Sequence, residues 1–194
     1  MNHLQKKLEK LEACDAAIKW AGTQKSLKEA WTNCPRADWM LWLLNRIRYD
    51  RVKMRLIGAW CARNTPLEDG RTTWDLLADE RSRHAIEVAE NPEATEGELK
   101  DAYAAAYAAV YAANAAAAAA YAAVYNAAAY AAAYAAAYGD AVDAAVDAAA
   151  YAVYAAYDAT AAYAVYAAAR LAQANHIRSV VQFSIVQKLL RSVK

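Results

Sequence analysis

From Ala102 to Ala169 the chain is built almost wholly of alanine and tyrosine, opening as "AYAAAYAAVYAANAAAAAAYAAVYNAAAYAAAYAAAYGDAV". No other feature limits the fold so tightly. Alanine is the strongest helix former, so this stretch is biased to helix before any packing occurs. Nowhere does an alternating Val/Ile/Thr run bounded by turn residues signal a strand. The expected fold is all-α: a single-domain helical bundle over residues 1–194 with long, close-packed Ala/Tyr-rich helices. Residues 1–93 form its Trp-rich, charged half and residues 94–194 its Ala/Tyr-rich half.

A run this long and this poor in charge raises the question of a membrane span. Leu, Ile, Phe and Val drive insertion, whereas tyrosine favours the interface. Residues 102–139 contain no Leu, Ile or Phe and eight Tyr spread along their length, so no membrane partner is expected. Small side chains instead allow helix axes to approach toward the short end of roughly 8–10 Å. An alanine methyl contributes only about 0.8 kcal/mol when wholly buried, and tyrosine supplies the missing area. At about 100° per residue, Tyr103, Tyr107, Tyr111, Tyr121 and Tyr125 share one face, while Tyr130, Tyr134 and Tyr138 fall opposite. The two faces predict a bend near Asn126, with Asn114 as a second candidate. Gly139–Asp140 reads as a helix stop and a fresh N-cap. An ice-binding rod would need regularly repeated threonines, and this half holds only Thr160.

Of the 22 Lys and Arg, 17 lie in residues 1–100, as do 16 of the 21 acids, which makes the first half the wetter surface. Leu4, Leu8, Leu11, Ala16, Ile18 and Ala21 predict one amphipathic helix over 2–22, ending near Gly22. Ser26 caps a short helix carrying Trp31. Pro35 suits the first position of the next helix, which runs towards Ala62 with a kink at Gly58. "NTPLEDG" is a loop, Thr72 or Thr73 opens a helix ending near Asn91–Pro92, and Thr95 with Glu98 forms a capping box.

The chemistry-bearing motifs are few. No glycine-rich phosphate loop, H-E-x-x-H or G-x-S-x-G occurs, and His3, His84 and His176 stand alone, so no catalytic residue, metal or cofactor is expected. Cys14, Cys34 and Cys61 are odd in number and widely spaced, which fits reduced thiols. The charged N-terminal stretch "MNHLQKKLEKLEACD" lacks the apolar run of a signal peptide, so a cytoplasmic location is expected. In "RIRYDRVKMRLIGAWCAR" the cations scatter over several helix faces, unlike a duplex nucleic-acid footprint. Asp140, Asp143, Asp147 and Asp158 fall within about 60° on one projected face, opposite Val142, Val146 and Val153. That stripe reads either as a solvent face or as an acidic patch for a basic partner, with Asp143 and Asp147 at its centre. Trp31, Trp39 and Trp42 are placed to anchor the N-terminal helices on the alanine layer. Arg36 and Asp38 are placed to pair at a helix start.

The blocks "CDAAIKW", "AWTNCPRADWMLWL" and "QANHIR", set around the alanine-rich half, resemble an immunity-protein family of bacteria and their phages, the group similar to the fifth class of polymorphic-toxin immunity proteins. That family's closing block reads Gln-Ala-Asp-x-Ile-Arg, followed two residues on by Ile-Pro. Gln173, Ala174, Ile177 and Arg178 match it, Asn175 replaces the Asp, and Val181–Gln182 stand for Ile-Pro. The resemblance implies a small cytoplasmic helical protein that neutralises an effector such as a toxin without catalysis. A second expectation from the residues is a sponge for a small nucleotide signal, using Arg36, Arg46, Arg178, Trp39 and Trp42. Open alanine–tyrosine faces also predict a homo-oligomer.

Overall fold

The computed structural model describes residues 2–67, 69–116, 130, 151–152 and 163–192, and these are all-α. Among the described residues nine α-helices occur in chain order: α1 (His3–Lys10), α2 (Asp15–Gly22), α3 (Leu27–Asn33), α4 (Ala37–Arg46), α5 (Arg51–Asn64), α6 (Glu80–Glu90), α7 (Glu96–Ala116), α8 (Tyr163–Val180) and α9 (Phe183–Ser192). A single 3-10 turn, Thr73–Leu76, lies between α5 and α6. Among the described residues the only strand-like pairing is one isolated bridge, Pro66 with Thr72. None of the described helices is long and apolar enough to cross a membrane.

Local chemistry explains most of the helix starts. Asn2 and Gln5 close a capping box on α1, with both bonds at 2.9 Å. Ser26 accepts from the Glu29 N–H on α3, and Asp50 and Asp79 cap α5 and α6 in the same way. Thr95 and Glu98 form the predicted box ahead of α7. Each such cap is worth about 1 kcal/mol, because it satisfies N–H groups with no partner inside the helix.

The predicted helix over 2–22 is in fact two. α1 ends in a Schellman motif: Ala13 N–H donates to Leu8 C=O and Glu12 N–H to Glu9 C=O, with Glu12 at φ 64°. The predicted run from Pro35 to Ala62 breaks in the same way. Tyr49 N–H donates to Leu44 C=O and Arg48 N–H to Asn45 C=O, with Arg48 at φ 56°. α5 then passes through Gly58 inside one helix. Pro35 precedes α4, whose N-cap is Arg36. Thr72 opens only the 3-10 turn, and Asp79 starts the helix that reaches Asn91. α7 runs through Asn114, so no break occurs there. The expectations at Asn126, at Gly139–Asp140 and for the Asp140–Asp158 stripe lie outside the described residues.

Two hydrophobic clusters organise the packing. In the first, Ala102, Ala106, Ala152 and Ala169 meet Ile86, Ala85, Ala89 and Leu76. Tyr103, Tyr107, Tyr130 and Tyr151 pack on it, with successive ring centroids at 5.4, 5.9 and 5.1 Å. This is the expected division of labour, in which alanine gives close approach and tyrosine gives area. The second cluster joins α1 to α5 with α8 and α9 around Leu41, Leu44, Met54, Ile57, Ile177 and Val186, all nearly inaccessible. Burying each of these side chains contributes roughly 1.5–3 kcal/mol. Trp31, Trp39 and Trp42 belong here, and Trp74 is the tryptophan on the alanine layer. Neither cluster is confined to one half of the sequence.

A buried polar clamp ties α8 to the end of α5. Gln173 Nε2 donates to Thr65 Oγ1 at 2.8 Å, and Thr65 Oγ1 donates to Cys61 C=O at 2.7 Å. Thr73 Oγ1 takes the neighbouring Ala62 C=O at 2.6 Å. Cys61 C=O also takes the Thr65 N–H, whereas Ala62 C=O faces Pro66, which has no N–H to give, so the Thr73 hydroxyl supplies its donor.

Candidate functional site

α2, α3 and α4 meet with their aromatic residues on one side. Trp31 is buried, whereas Trp20, Trp39 and Trp42 are half-buried around an apolar cleft of about 60 Å³. Leu4, Leu27 and Met40 complete much of its wall. The Trp20 and Trp39 rings tilt against each other at 51° with centroids 5.8 Å apart. The cleft admits about one aliphatic or aromatic anchor.

Two arginines flank it. The Arg36 guanidinium lies 4.5 Å from the Trp39 ring centroid and Arg46 lies 5.8 Å from that of Trp42, both within cation–π range. Arg36 is held by a fork on Asp38, with Nε to Oδ1 at 3.1 Å and Nη2 to Oδ2 at 2.5 Å. Asp38 occupies the first turn of α4, where the helix dipole favours an acid, as the sequence predicted. Arg46 bonds Glu12 at 2.7 Å, so the residue that closes α1 also holds this cation.

Arg178 stands apart from these in role. Its Nη1 donates to Cys34 C=O at 2.7 Å and to Trp31 C=O at 3.5 Å, and its Nη2 donates to Asn175 Oδ1 at 2.6 Å. It thereby caps the C-terminal end of α3 and braces the cleft from behind. Burial pulls its guanidinium below the usual range, and burial likewise raises the Cys34 thiol. Asn175 takes the bond from Arg178 as a neutral acceptor.

The structure thus brings Arg36, Asp38, Trp39, Trp42 and Arg46 to one face, and puts Arg178 beneath it. Asp143 and Asp147 lie outside the described residues. Trp20 was missed as a member of the face; its signal was its place in "CDAAIKW", one turn before a helix end. Also unforeseen is an Arg63–Glu90 fork at 2.6 and 2.7 Å, with the Arg63 guanidinium 3.6 Å from the Trp74 ring centroid. Among the described residues no group of His, Cys, Asp and Glu is arranged to hold a metal. Comparison with protein-family models, curated proteins and solved structures finds no match.

Proposed function

We propose that this chain is a non-enzymatic neutralising protein that captures a protein effector, such as a toxin, on the tryptophan face of α2 and α4. The observation that carries this reading is the set of three half-buried tryptophans, Trp20, Trp39 and Trp42, around an apolar cleft with Arg36 and Arg46 beside it. Tryptophan and arginine dominate the energetics of protein interfaces, and their anchors work by filling pockets of this kind. The engagement of the arginines favours a protein over a nucleotide at this face. Arg36 and Arg46 already neutralise Asp38 and Glu12, and Arg178 is spent on backbone carbonyls. A phosphate would have to displace these partners. The proposed setting is the reducing cytoplasm, and a second copy of the chain is the proposed cover for the remaining alanine–tyrosine faces.

The test is co-expression with protein toxins encoded beside its gene. The wild-type chain is expected to restore growth against one of them and to co-purify with it. The Trp39→Ala/Trp42→Ala double variant should lose both effects while keeping its helical content. Protection by the double variant equal to wild type would remove the tryptophan face from the mechanism.

A further inference from the structure

Beside the tryptophan cleft, α1, the α2–α3 connection and α9 enclose a groove of about 380 Å³. This lies within the ordinary size range of small-molecule sites, roughly 300–1,000 Å³. Three permanent cations line it from three separate elements: Lys7 on α1, Lys25 ahead of α3, and Arg191 on α9. No Asp or Glu lines it. None of the three cations forms an ion pair among the described residues. The Glu29 carboxylate, close in sequence, is turned onto the Lys25 backbone N–H at 2.8 Å. Lys7 spends one ammonium proton on Leu190 C=O at 3.2 Å, which holds α1 to α9 and leaves two donors. The Gln187 amide and the Ser26 hydroxyl add neutral polar groups to the wall.

Gathering three like charges round one cavity without a counter-charge opposes folding, and concave walls concentrate the positive potential they produce. An anion in the groove offsets that repulsion. A phosphate oxygen accepts from lysine ammonium and, by a fork, from a guanidinium. No Phe, Tyr or Trp lines the groove and His3 is the one ring on its wall, so recognition rests mainly on charge and polar donors. We propose that the α1–α9 groove is a binding site for a phosphate-bearing small molecule, held by Lys7, Lys25 and Arg191. The groove adjoins the tryptophan cleft through Leu4 and Leu27, but none of its three cations lines that cleft, so the proposal does not depend on what the tryptophan face binds.

The test is calorimetric titration of the full chain with two probes, sodium pyrophosphate and ADP. Saturable one-to-one binding of at least one probe is expected. Equal affinities identify free phosphate groups as the ligand chemistry, and tighter binding of ADP identifies a phosphate carried by a nucleoside. Lys25 and Arg191 are exposed, so Lys25→Glu/Arg191→Glu leaves the fold intact; its melting curve checks this. The double variant should weaken binding at least roughly tenfold, the effect of losing about one charged contact. Trp39→Ala should bind the probes as wild type does. Absence of saturable binding by both probes, or binding unchanged in the double variant, overturns the proposal.

Discussion

The His176 imidazole lies flat on the Trp60 indole, with ring centroids 3.7 Å apart and planes within 3°. The stack joins α8 to α5. Burial lowers the His176 pKa, because the charged ring is less well solvated there than in water.

A pH dependence follows from that stack. The unfolded chain takes up a proton at His176 near the ordinary value of about 6.5, and the folded chain does so only at lower pH. Between the two the unfolded state binds more protons, so stability falls as pH drops below about 6.5 and is whole above it. Melting temperatures from pH 5 to 8 should show wild type losing stability at the acid end relative to His176→Phe, which keeps a flat ring on Trp60. Parallel curves for the two proteins would show that His176 does not titrate differently on folding.

Removing Arg178 should loosen α3. Arg178→Met leaves the Cys34 and Trp31 carbonyls without their donor, at an expected cost of about 1–3 kcal/mol in urea unfolding. Asn175→Asp should act in the opposite direction by up to about 1 kcal/mol, since it turns a neutral acceptor into a partly exposed charged one. A destabilised Asn175→Asp protein would contradict this account of the Arg178 bonds.

Arg48→Gly should stabilise the chain. Arg48 is exposed and holds φ 56°, a conformation that costs a residue with a Cβ on the order of 1 kcal/mol. Glycine removes that cost but gives more freedom to the unfolded chain, so the expected net gain is a few tenths to about 1 kcal/mol. The urea midpoint reads it directly.

The three thiols should react unequally. Cys14 is exposed, while Cys34 and Cys61 are buried with thiols pushed upward by desolvation. A thiol reagent at neutral pH should label one site quickly in the folded chain and all three in denaturant. Rapid labelling of Cys61 in the folded chain would mean that α5 opens to solvent.

Helix content and the roles of alanine and tyrosine were legible because propensity and composition are local properties. So were the caps at Ser26 and at Thr95–Glu98, whose partners lie three residues away. The breaks after α1 and α4 were not, and the reason is specific. Both ends are Schellman motifs, which usually place glycine at the left-handed position, and here that position holds Glu12 or Arg48. Among the described residues, Gly22 ends a helix where its identity suggested. The candidate site divides in the same way. The Arg36–Asp38 fork joins residues two apart at a helix start and could be foreseen. The Arg178–Cys34 bond spans 144 residues and depends on how α8 returns to the N-terminal helices. Nothing local distinguishes such an arginine from one that meets a ligand.

The bond from Lys7 to Leu190 crosses 183 residues, and around it α8 and α9 seal the cluster that α1 to α5 begin. A ribosome delivers those helices in the opposite order from the one that would protect them. When Ala116 has emerged, Trp31, Leu41 and Leu44 still lack Ile177, Val181, Val186 and Leu190, so half a core faces solvent while the alanine–tyrosine stretch is translated. Such a chain depends on what shields nascent apolar surface in the cell. A premature stop before α8 would therefore yield not a smaller working domain but a fragment for chaperones and proteases to clear.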